Sequence, residues 1–421
     1  MRTDLSPSEA LALILESTPV LGSETVGVGG ALGRVLTDAV VSTRRIPPDD
    51  NSAMDGYAVR AADCAGASAG RPVELRVVFE VAAGGAAARA LEVGEAARIL
   101  TGASLPPGAD SVVRQEDTER RGDRVVVRVA PPVGEHVRPA GEDVRPGETV
   151  LAAGSRVGAA QIGMLAALGR TVVAVRQRPR VAILSGGDEL VEPDGDVAGG
   201  RIVSSNSYSI AAHCRELGAE PVYLGIARDT PEEIERHVRA GLAADVLVSS
   251  AGVSVGDRDY VRDVLEKLGC RLLFWGVRIK PGYPLAFGRF ELDGLSRGPL
   301  AFGLPGNPVS AMVTFEEFVR PALLKMMGHR RLHRPTLRVR VGETLHKKAG
   351  RLHFVRVALT RERGEVVARE TGTQSSGALR SMTRATALLI FPADRTELHA
   401  GERAIVQVLD ASFLASDVPG Y

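Results

Sequence analysis

The sequence predicts a multidomain protein of α/β plus β class: a doubly wound α/β domain, a small β-rich domain, a linking domain and a C-terminal β-barrel. Three observations carry this reading. Five strand-like segments fall between residues 180 and 304, and each ends in a loop of glycines, prolines or charged residues. On either side of that block, short alternating stretches separated by Gly and Pro clusters replace helical periodicity. At 421 residues the chain is too long for one compact core, so about three or four domains are expected.

Taken in order, Leu5-Ser6-Pro7-Ser8-Glu9 reads as a capping box opening an amphipathic helix over residues 6–20. It does not read as the basic lead of a signal peptide. Residues 26–41 read as extended, around turns at Gly29, Gly30 and Gly33. From 46 to about 142 the pattern becomes short strands such as 73–78 and 124–129, a small β-rich domain. Residues 143–177 hold extended pieces around a helix at 159–168 that Gly169 ends; with 27–45 they form the linking domain. The α/β domain occupies 178–329 and closes with a helix over 309–327 and Gly328. Strands at 337–341, 352–359, 365–370, 387–391 and 404–409 then predict a small barrel within 330–421.

Composition excludes several classes of function. Apolar residues make up 44% of the chain without a run of transmembrane length, so a soluble, cytoplasmic protein with no membrane partner is expected. The 52 basic and 51 acidic side chains leave a charge of +1, which gives no reason to expect nucleic acid. Cys64, Cys214 and Cys270 are odd in number and far apart, against a disulfide framework or a cysteine zinc site. The eight histidines show no metal-ligand spacing.

The chemistry concentrates where the α/β strands end. Residues 245–249 run as a buried strand into a loop of small residues from Ser250 to Gly256, followed by a helix opening on Asp257-Arg258-Asp259-Tyr260. Such a loop lets backbone N–H groups at a helix start face an anion. Taken alone it is more often an ordinary strand-to-helix connection. It is not alone, because Ser185-Gly186-Gly187-Asp188-Glu189, Arg228-Asp229, Lys280-Pro281-Gly282-Tyr283-Pro284 and Pro305-Gly306-Asn307-Pro308 end the other strands. Thr230-Pro231-Glu232-Glu233 starts the helix after Asp229 as a capping box. By the doubly wound rule all five strand ends share one edge of the sheet, and their carboxylates, lysine and glycines suit a phosphorylated ligand with a divalent cation.

The segment from Asp50 to Val59, Asp-Asn-Ser-Ala-Met-Asp-Gly-Tyr-Ala-Val, follows neither strand nor helix period. It resembles the signature of the MoeA family, the molybdopterin molybdenumtransferases to which the gephyrin E domain belongs. Residues 98–103, 140–144, 184–190, 252–257 and 304–310 resemble further family motifs in family order, so that the likeness covers about residues 5–410. It implies insertion of molybdate into adenylylated molybdopterin with release of AMP and assistance from Mg²⁺. It also implies an elongated homodimer of four-part chains, whose α/β part is similar to the adenylyltransferase that makes the substrate, with residues 1–26 packing on that part. Molybdopterin adenylyltransferase and molybdoenzyme-specific chaperones are the implied partners.

By the same resemblance Asp55 and Asp143 are functional carboxylates near the cleft, and Glu189, Asp229 and Asp259 are Mg²⁺ or pterin contacts. Lys280 would neutralise phosphate or molybdate, with Arg356 and Ser376 beside the oxyanion. The remaining implied substrate contacts are Thr101, Ser185, Gly187, Ser249, Gly252, Ser254, Gly256, Tyr283, Pro284, Pro305, Gly306, Asn307, Pro308 and Ser310. Plainer readings exist: Asp55 could hold a turn, Asp143 could cap one, Asp257 or Asp259 could cap the helix that follows, Lys280 could be a solvated strand end, and Arg356 could face outward from a barrel strand. Matching motifs around five acidic positions favour function.

The chain departs from the family pattern at named positions. Tyr283 stands where a second lysine is usual, Gly186 where threonine is, Ala251 where glycine is, Ser204 where an acidic or amide residue is, and Thr386 where asparagine is. A divergent or non-catalytic pterin-binding scaffold is therefore the alternative. A third reading, a serine hydrolase, comes from Gly252-Val253-Ser254-Val255-Gly256, which fits the Gly-x-Ser-x-Gly elbow. Against it, the loop continues after Ser254 and no histidine-glycine oxyanion loop precedes it.

Overall fold

The computed structural model describes residues 1–85, 87–250, 260–291 and 298–415. The chain divides into two compact units, one formed by Met1–Glu24, Gly33–Val35 and Val175–Tyr421, the other by Thr25–Leu32 and Leu36–Ala174.

The first unit is built on a seven-stranded sheet in the order Arg2–Leu5, Cys270–Val277, Ala286–Phe290, Leu300–Leu304, Val246–Ser250, Arg180–Gly186, Glu220–Ala227. The five expected strands all run in one direction, so their C-terminal ends do share an edge. Two strands were not legible. Arg2–Leu5 adds a parallel edge strand beside Cys270–Val277, and Ala286–Phe290 inserts antiparallel between Cys270–Val277 and Leu300–Leu304.

Strand alternation sends successive side chains to opposite faces, and here both faces are covered. Val181, Ile183, Val246 and Val248 pack with Ile14, Ile210 and Phe315 on one side. Ala182, Leu184 and Leu247 pack with Ile234, Val238 and Val264 on the other. A strand dry on both faces reads as a continuous apolar run, which is why these segments carry little polar alternation.

Helix ends follow local chemistry. The first helix is Pro7–Ser17 rather than 6–20: Ser6 and Glu9 form the reciprocal capping box, and Thr18 takes an extended conformation, as a residue before proline is pushed to do. In the helix Pro231–Gly241, Thr230 accepts from the Glu233 N–H, which is the forward half of the expected box. The expected helix at 309–327 is three pieces, Pro308–Thr314, a π-helical turn Phe315–Val319 and Arg320–Met326. Pro321 explains the widened turn, because it has no N–H for the carbonyl four residues back and its ring crowds that carbonyl.

The expected strand at 272–279 is likewise split. Cys270–Val277 belongs to the large sheet, while Ile279–Lys280 pairs with the start of Leu352–Glu362, Ile279 opposite Leu352 and Lys280 opposite His353. Leu352–Glu362, Glu365–Glu370, Thr336–Val341, Arg403–Val408 and Ala387–Phe391 form a closed five-stranded barrel, sealed where Leu352–Glu362 meets Ala387–Phe391. Val339, Val355, Val357, Leu389, Phe391 and Val406 fill it.

The second unit holds a six-stranded sheet in the order Ser111–Arg114, Gly56–Val59, Glu95–Ile99, Val73–Val81, Arg124–Val127, Thr118–Arg121. Gly56 is required there, since a Cβ on it would lie 2.0 Å from the Val113 carbonyl oxygen of the neighbouring strand. The helix Ala159–Ala167 and the pairing of Val40–Val41 with Thr149–Leu151 complete the unit.

Candidate active site

A cleft of about 660 Å³ opens in the first unit at the C-terminal edge of the sheet, lined by Gly186, Glu189, Leu190, Ile202 to Asn206, Ser250, Pro284, Pro305 to Pro308 and Gly377. Its floor is made of hydroxyls. Ser185 and Ser250 oxygens are 3.2 Å apart, Ser204 donates to Ser185 at 2.9 Å, and Ser204 and Ser207 oxygens are 3.0 Å apart. All four serines are buried, and each is satisfied by the next, as buried polar groups must be.

The wall is fixed by Asn206. Its Nδ2 donates to the Gly306 carbonyl at 2.7 Å, tying the Pro305-Gly306-Asn307-Pro308 turn to the helix Ser205–Leu217. Its Oδ1 is buried and has no hydrogen-bond partner in the protein, an acceptor set at the cleft. Glu189 comes from the turn after Arg180–Gly186. Gly187 has φ 142°, and a Cβ on it would lie 2.5 Å from the Glu189 Oε2, so glycine there makes room for the carboxylate to fold back. Gly186 by contrast has open space beside it, and the usual threonine would fit.

Asp229 does not line the cleft. Asp188 and Asp229 exchange side-chain acceptors with each other's N–H groups at 3.4 and 3.3 Å, and Arg228 donates to the Asp188 carbonyl at 3.1 Å. The pair ties two neighbouring strand ends together. Among the described residues no three His, Cys, Asp or Glu side chains gather as a metal cage. Asp259, Gly252, Ser254, Gly256 and Ala251 lie outside the described residues.

The barrel supplies the other expected groups. Lys280 is exposed. Arg356 is not an outward residue of a barrel strand: its relative exposure is 0%. Its Nε donates to Ser381 at 3.1 Å and its Nη2 to the Thr373 and Ser375 carbonyls at 3.2 and 3.0 Å. Its Nη1 is buried without a partner, and burial pulls its pKa down to about 10. The loop it grips continues to Ser376, whose carbonyl accepts the Val309 N–H at 3.1 Å, and to Gly377 in the cleft. Thr386 is structural, its hydroxyl accepting the Leu359 N–H at 2.8 Å.

Tyr283 is turned elsewhere. Its ring meets Trp275 edge-on at 5.6 Å and carries the Arg351 guanidinium 4.2 Å from its centre. It fills the space that a side chain on Gly276 would need, and it is not part of the cleft lining. Ser185, Ser249 and Ser310 are buried, with Ser185 under the floor. In the second unit, Asp55 is exposed and accepts the Thr101 N–H at 2.7 Å and its hydroxyl at 2.8 Å. Those two bonds hold its carboxyl below the usual range. Asp143 is exposed, with its N–H on the Ile46 carbonyl.

Family models match three stretches: the MoeA N-terminal region (domains I and II) at residues 5–169, a probable molybdopterin binding domain at 182–325, and the MoeA C-terminal region (domain IV) at 338–409. A molybdopterin molybdenumtransferase of Nostoc is 39% identical over 94% of this chain and 91% of its own length. The chain belongs to the MoeA family. Another relative of the same name, from Haemophilus influenzae, is 33% identical over 96% of this chain and 98% of its own. The crystal structure of the molybdopterin biosynthesis MoeA protein from Pyrococcus horikoshii OT3 superposes with a TM-score of 0.80 at 31% identity, covering 96% of this chain and all of that one.

Of the residues expected from the MoeA motifs, the cleft gathers Glu189, Pro284, Pro305, Gly306, Asn307 and Pro308. Gly186, Leu190, Ser204 and Ser250 come from segments the sequence had marked, whereas Ile202, Val203, Ser205, Asn206 and Gly377 were missed. Ser204, Ser205 and Asn206 form the cap and first turn of the helix Ser205–Leu217, and a polar helix start is too common in sequences to mark a site.

Proposed function

We propose that this MoeA-family chain is a molybdopterin molybdenumtransferase, placing molybdate in the dithiolene of adenylylated molybdopterin and releasing AMP. The carrying observation is that relatives bearing that name match it over 94–96% of its length, while the cleft combines, among the described residues, one exposed carboxylate, an unpartnered buried acceptor and a glycine and proline turn. Such a cleft suits an extended ligand with a heterocycle and phosphates.

Within this reading, Glu189 is the described carboxylate placed to hold Mg²⁺, with Asp259 as a further candidate, while Asp229, paired with Asp188 outside the cleft lining, is not one. Mg²⁺ commonly takes one or two carboxylates, the substrate phosphates and several waters, so the one carboxylate among the described cleft residues fits it. Bound there, the ion would neutralise charge on the phosphoanhydride. Asn206 Oδ1 accepts a hydrogen bond from the substrate, and the Pro305 to Pro308 turn orients it. Lys280 and Arg356 supply cationic donors to the oxyanion, the Arg356 Nη1 being the unspent one. Ser185 and Ser249 fix the strand ends, and Ser310 and Ser376 hold the helix start beside the cleft. Asp55, steadied by Thr101, and Asp143 are the functional carboxylates of the second unit, and the chain works as a homodimer. The protein works in the cytoplasm, with molybdopterin adenylyltransferase and molybdoenzyme chaperones as partners; no helix among the described residues is long and apolar enough to cross a membrane.

The test is AMP release from adenylylated molybdopterin with and without molybdate. Wild type should release AMP in response to molybdate, and Glu189→Gln should lose that response while melting normally. Near-normal turnover in the variant would remove Glu189 from the site. A second reading, a pterin-binding scaffold, is favoured by Ser204 and Tyr283, which replace two groups usually charged or amide. Tight pterin binding without any AMP release would select it.

A further inference from the structure

The barrel strand that carries Arg356 changes neighbours at that residue. Val357 lies opposite Glu370 in the ladder with Glu365–Glu370, so Thr371 is next in line to face Arg356. Two antiparallel residues so placed ordinarily exchange both backbone bonds. Thr371 supplies one, its N–H donating to the Arg356 carbonyl at 3.2 Å. Gly372, at φ 113°, then turns the chain away, and the Arg356 N–H donates instead to the Gln374 Oε1 at 3.0 Å. The Gln374 Nε2 donates to the Arg356 carbonyl at 3.1 Å and to the Gly372 carbonyl at 3.2 Å. A side-chain amide thus stands in for the next peptide of the ladder.

The grip is returned. Arg356 sends its Nη2 to the Thr373 and Ser375 carbonyls on either side of Gln374, and its Nε to Ser381. A guanidinium has five N–H donors, and these three contacts leave the two on Nη1, which is buried without a protein partner. Beyond Gln374 the loop is pinned again, where the Ser376 carbonyl accepts the Val309 N–H. Arg356 is already paired with Leu388 on the other side of its strand, so the barrel closes without this clamp. What the clamp adds is a direction: with Nε and Nη2 held, the planar group presents Nη1 along one line.

We infer that Gln374 is a positioning residue, fixing the backbone and loop that aim the Arg356 Nη1 edge at the oxyanion. The inference rests on the oxyanion role given to Arg356 above. Gln374 does not line the cleft and acts through Arg356. Donors held in place before the charge arrives cost no reorganisation when it does, whereas a long side chain free to turn must be immobilised on binding. Without the Gln374 amide, Arg356 keeps its charge and loses its direction.

The test is calorimetric titration of molybdate alone into wild type, Gln374→Met, Arg356→Lys and the double variant. Gln374→Met keeps the length of the side chain and removes its hydrogen bonds, and it should weaken molybdate binding about tenfold. Gln374→Asn, whose amide is one methylene short of its partners, should do the same. Arg356→Lys keeps the charge without the fork, and adding Gln374→Met to it should cost little more, because a residue acting through another has no effect once that other is gone. Wild-type affinity in Gln374→Met and Gln374→Asn would overturn the inference. So would a full further tenfold loss in the double variant, the mark of a general structural defect, and so would wild-type affinity in Arg356→Lys. AMP release is read separately: if wild type releases none while the affinities follow the expected order, the transferase reading falls and the Gln374 assignment stands.

Discussion

Tyr283 shows how far a single residue can be read. That it replaces a lysine was visible in the sequence, and the loss of a cation beside an oxyanion followed from it. Where the ring goes was not visible, because that depends on Gly276 leaving space and on Arg351 arriving from the barrel, 68 positions on in a different element. The ring is an anchor between sheet and barrel. Tyr283→Lys is accordingly expected to lose the edge-on contact with Trp275 and the cation contact, and to set a like charge near Arg351. Chemical denaturation should register a loss of about 0.5–1.5 kcal/mol, and an unchanged midpoint would contradict the packing. Asn206 is the opposite case. A lone asparagine at a helix start has no distinguishing chemistry in a sequence, and only the partnerless buried Oδ1 marks it.

At the scale of elements, strands with five ends at one edge were legible because continuous apolar runs followed by glycine, proline and charge have few other uses. Arg2–Leu5 and Ala286–Phe290 were not, since one is four residues of mixed polarity and the other alternates around a glycine and an arginine. The π-helical turn was equally hidden, though its cause, Pro321, stood in plain view. That turn carries two neighbouring carboxylates in different surroundings. Glu316 is held by Arg334 and Arg320, whereas Glu317 meets Gln407 at 3.1 Å. Burial, with the Glu316 charge adding to it, pushes the Glu317 pKa from 4.5 up to about 7. Between those values the folded chain keeps a proton that the unfolded chain has lost, so this group's contribution is full below about pH 4.5 and is lost as pH rises through 7. With its partial exposure discounted, the loss is on the order of 2 kcal/mol. Melting wild type and Glu317→Gln at pH 5 and pH 8 should show the wild type falling further than the variant; parallel curves would discard the shift.

For the whole molecule, the alternating β patterns on both flanks of the α/β block announced separate β-rich parts. They did not announce that the barrel and the α/β sheet would cluster as one unit, because such docking depends on facing surfaces that no local pattern encodes. Asp55 and Asp143 belong to the second unit. The homodimer proposed above would be a closed, two-fold arrangement. Sedimentation at micromolar concentration should return twice the 44.4 kDa chain mass, and a monomer alone would sink the arrangement.

The barrel's attachment also says where this chain can be divided. Phe354, Met382 and Leu388 come from the barrel yet are buried in the α/β core with Phe315 and Phe318, and residues 279–280 leave the sheet to borrow a barrel strand as their neighbour. Cutting between 329 and 336 would strip an aromatic face bare and free the backbone that presents Lys280. Barrel and sheet are thus one heritable block despite being consecutive in sequence, and a recombination that exchanged the barrel alone would have to replace part of the other domain's interior along with it.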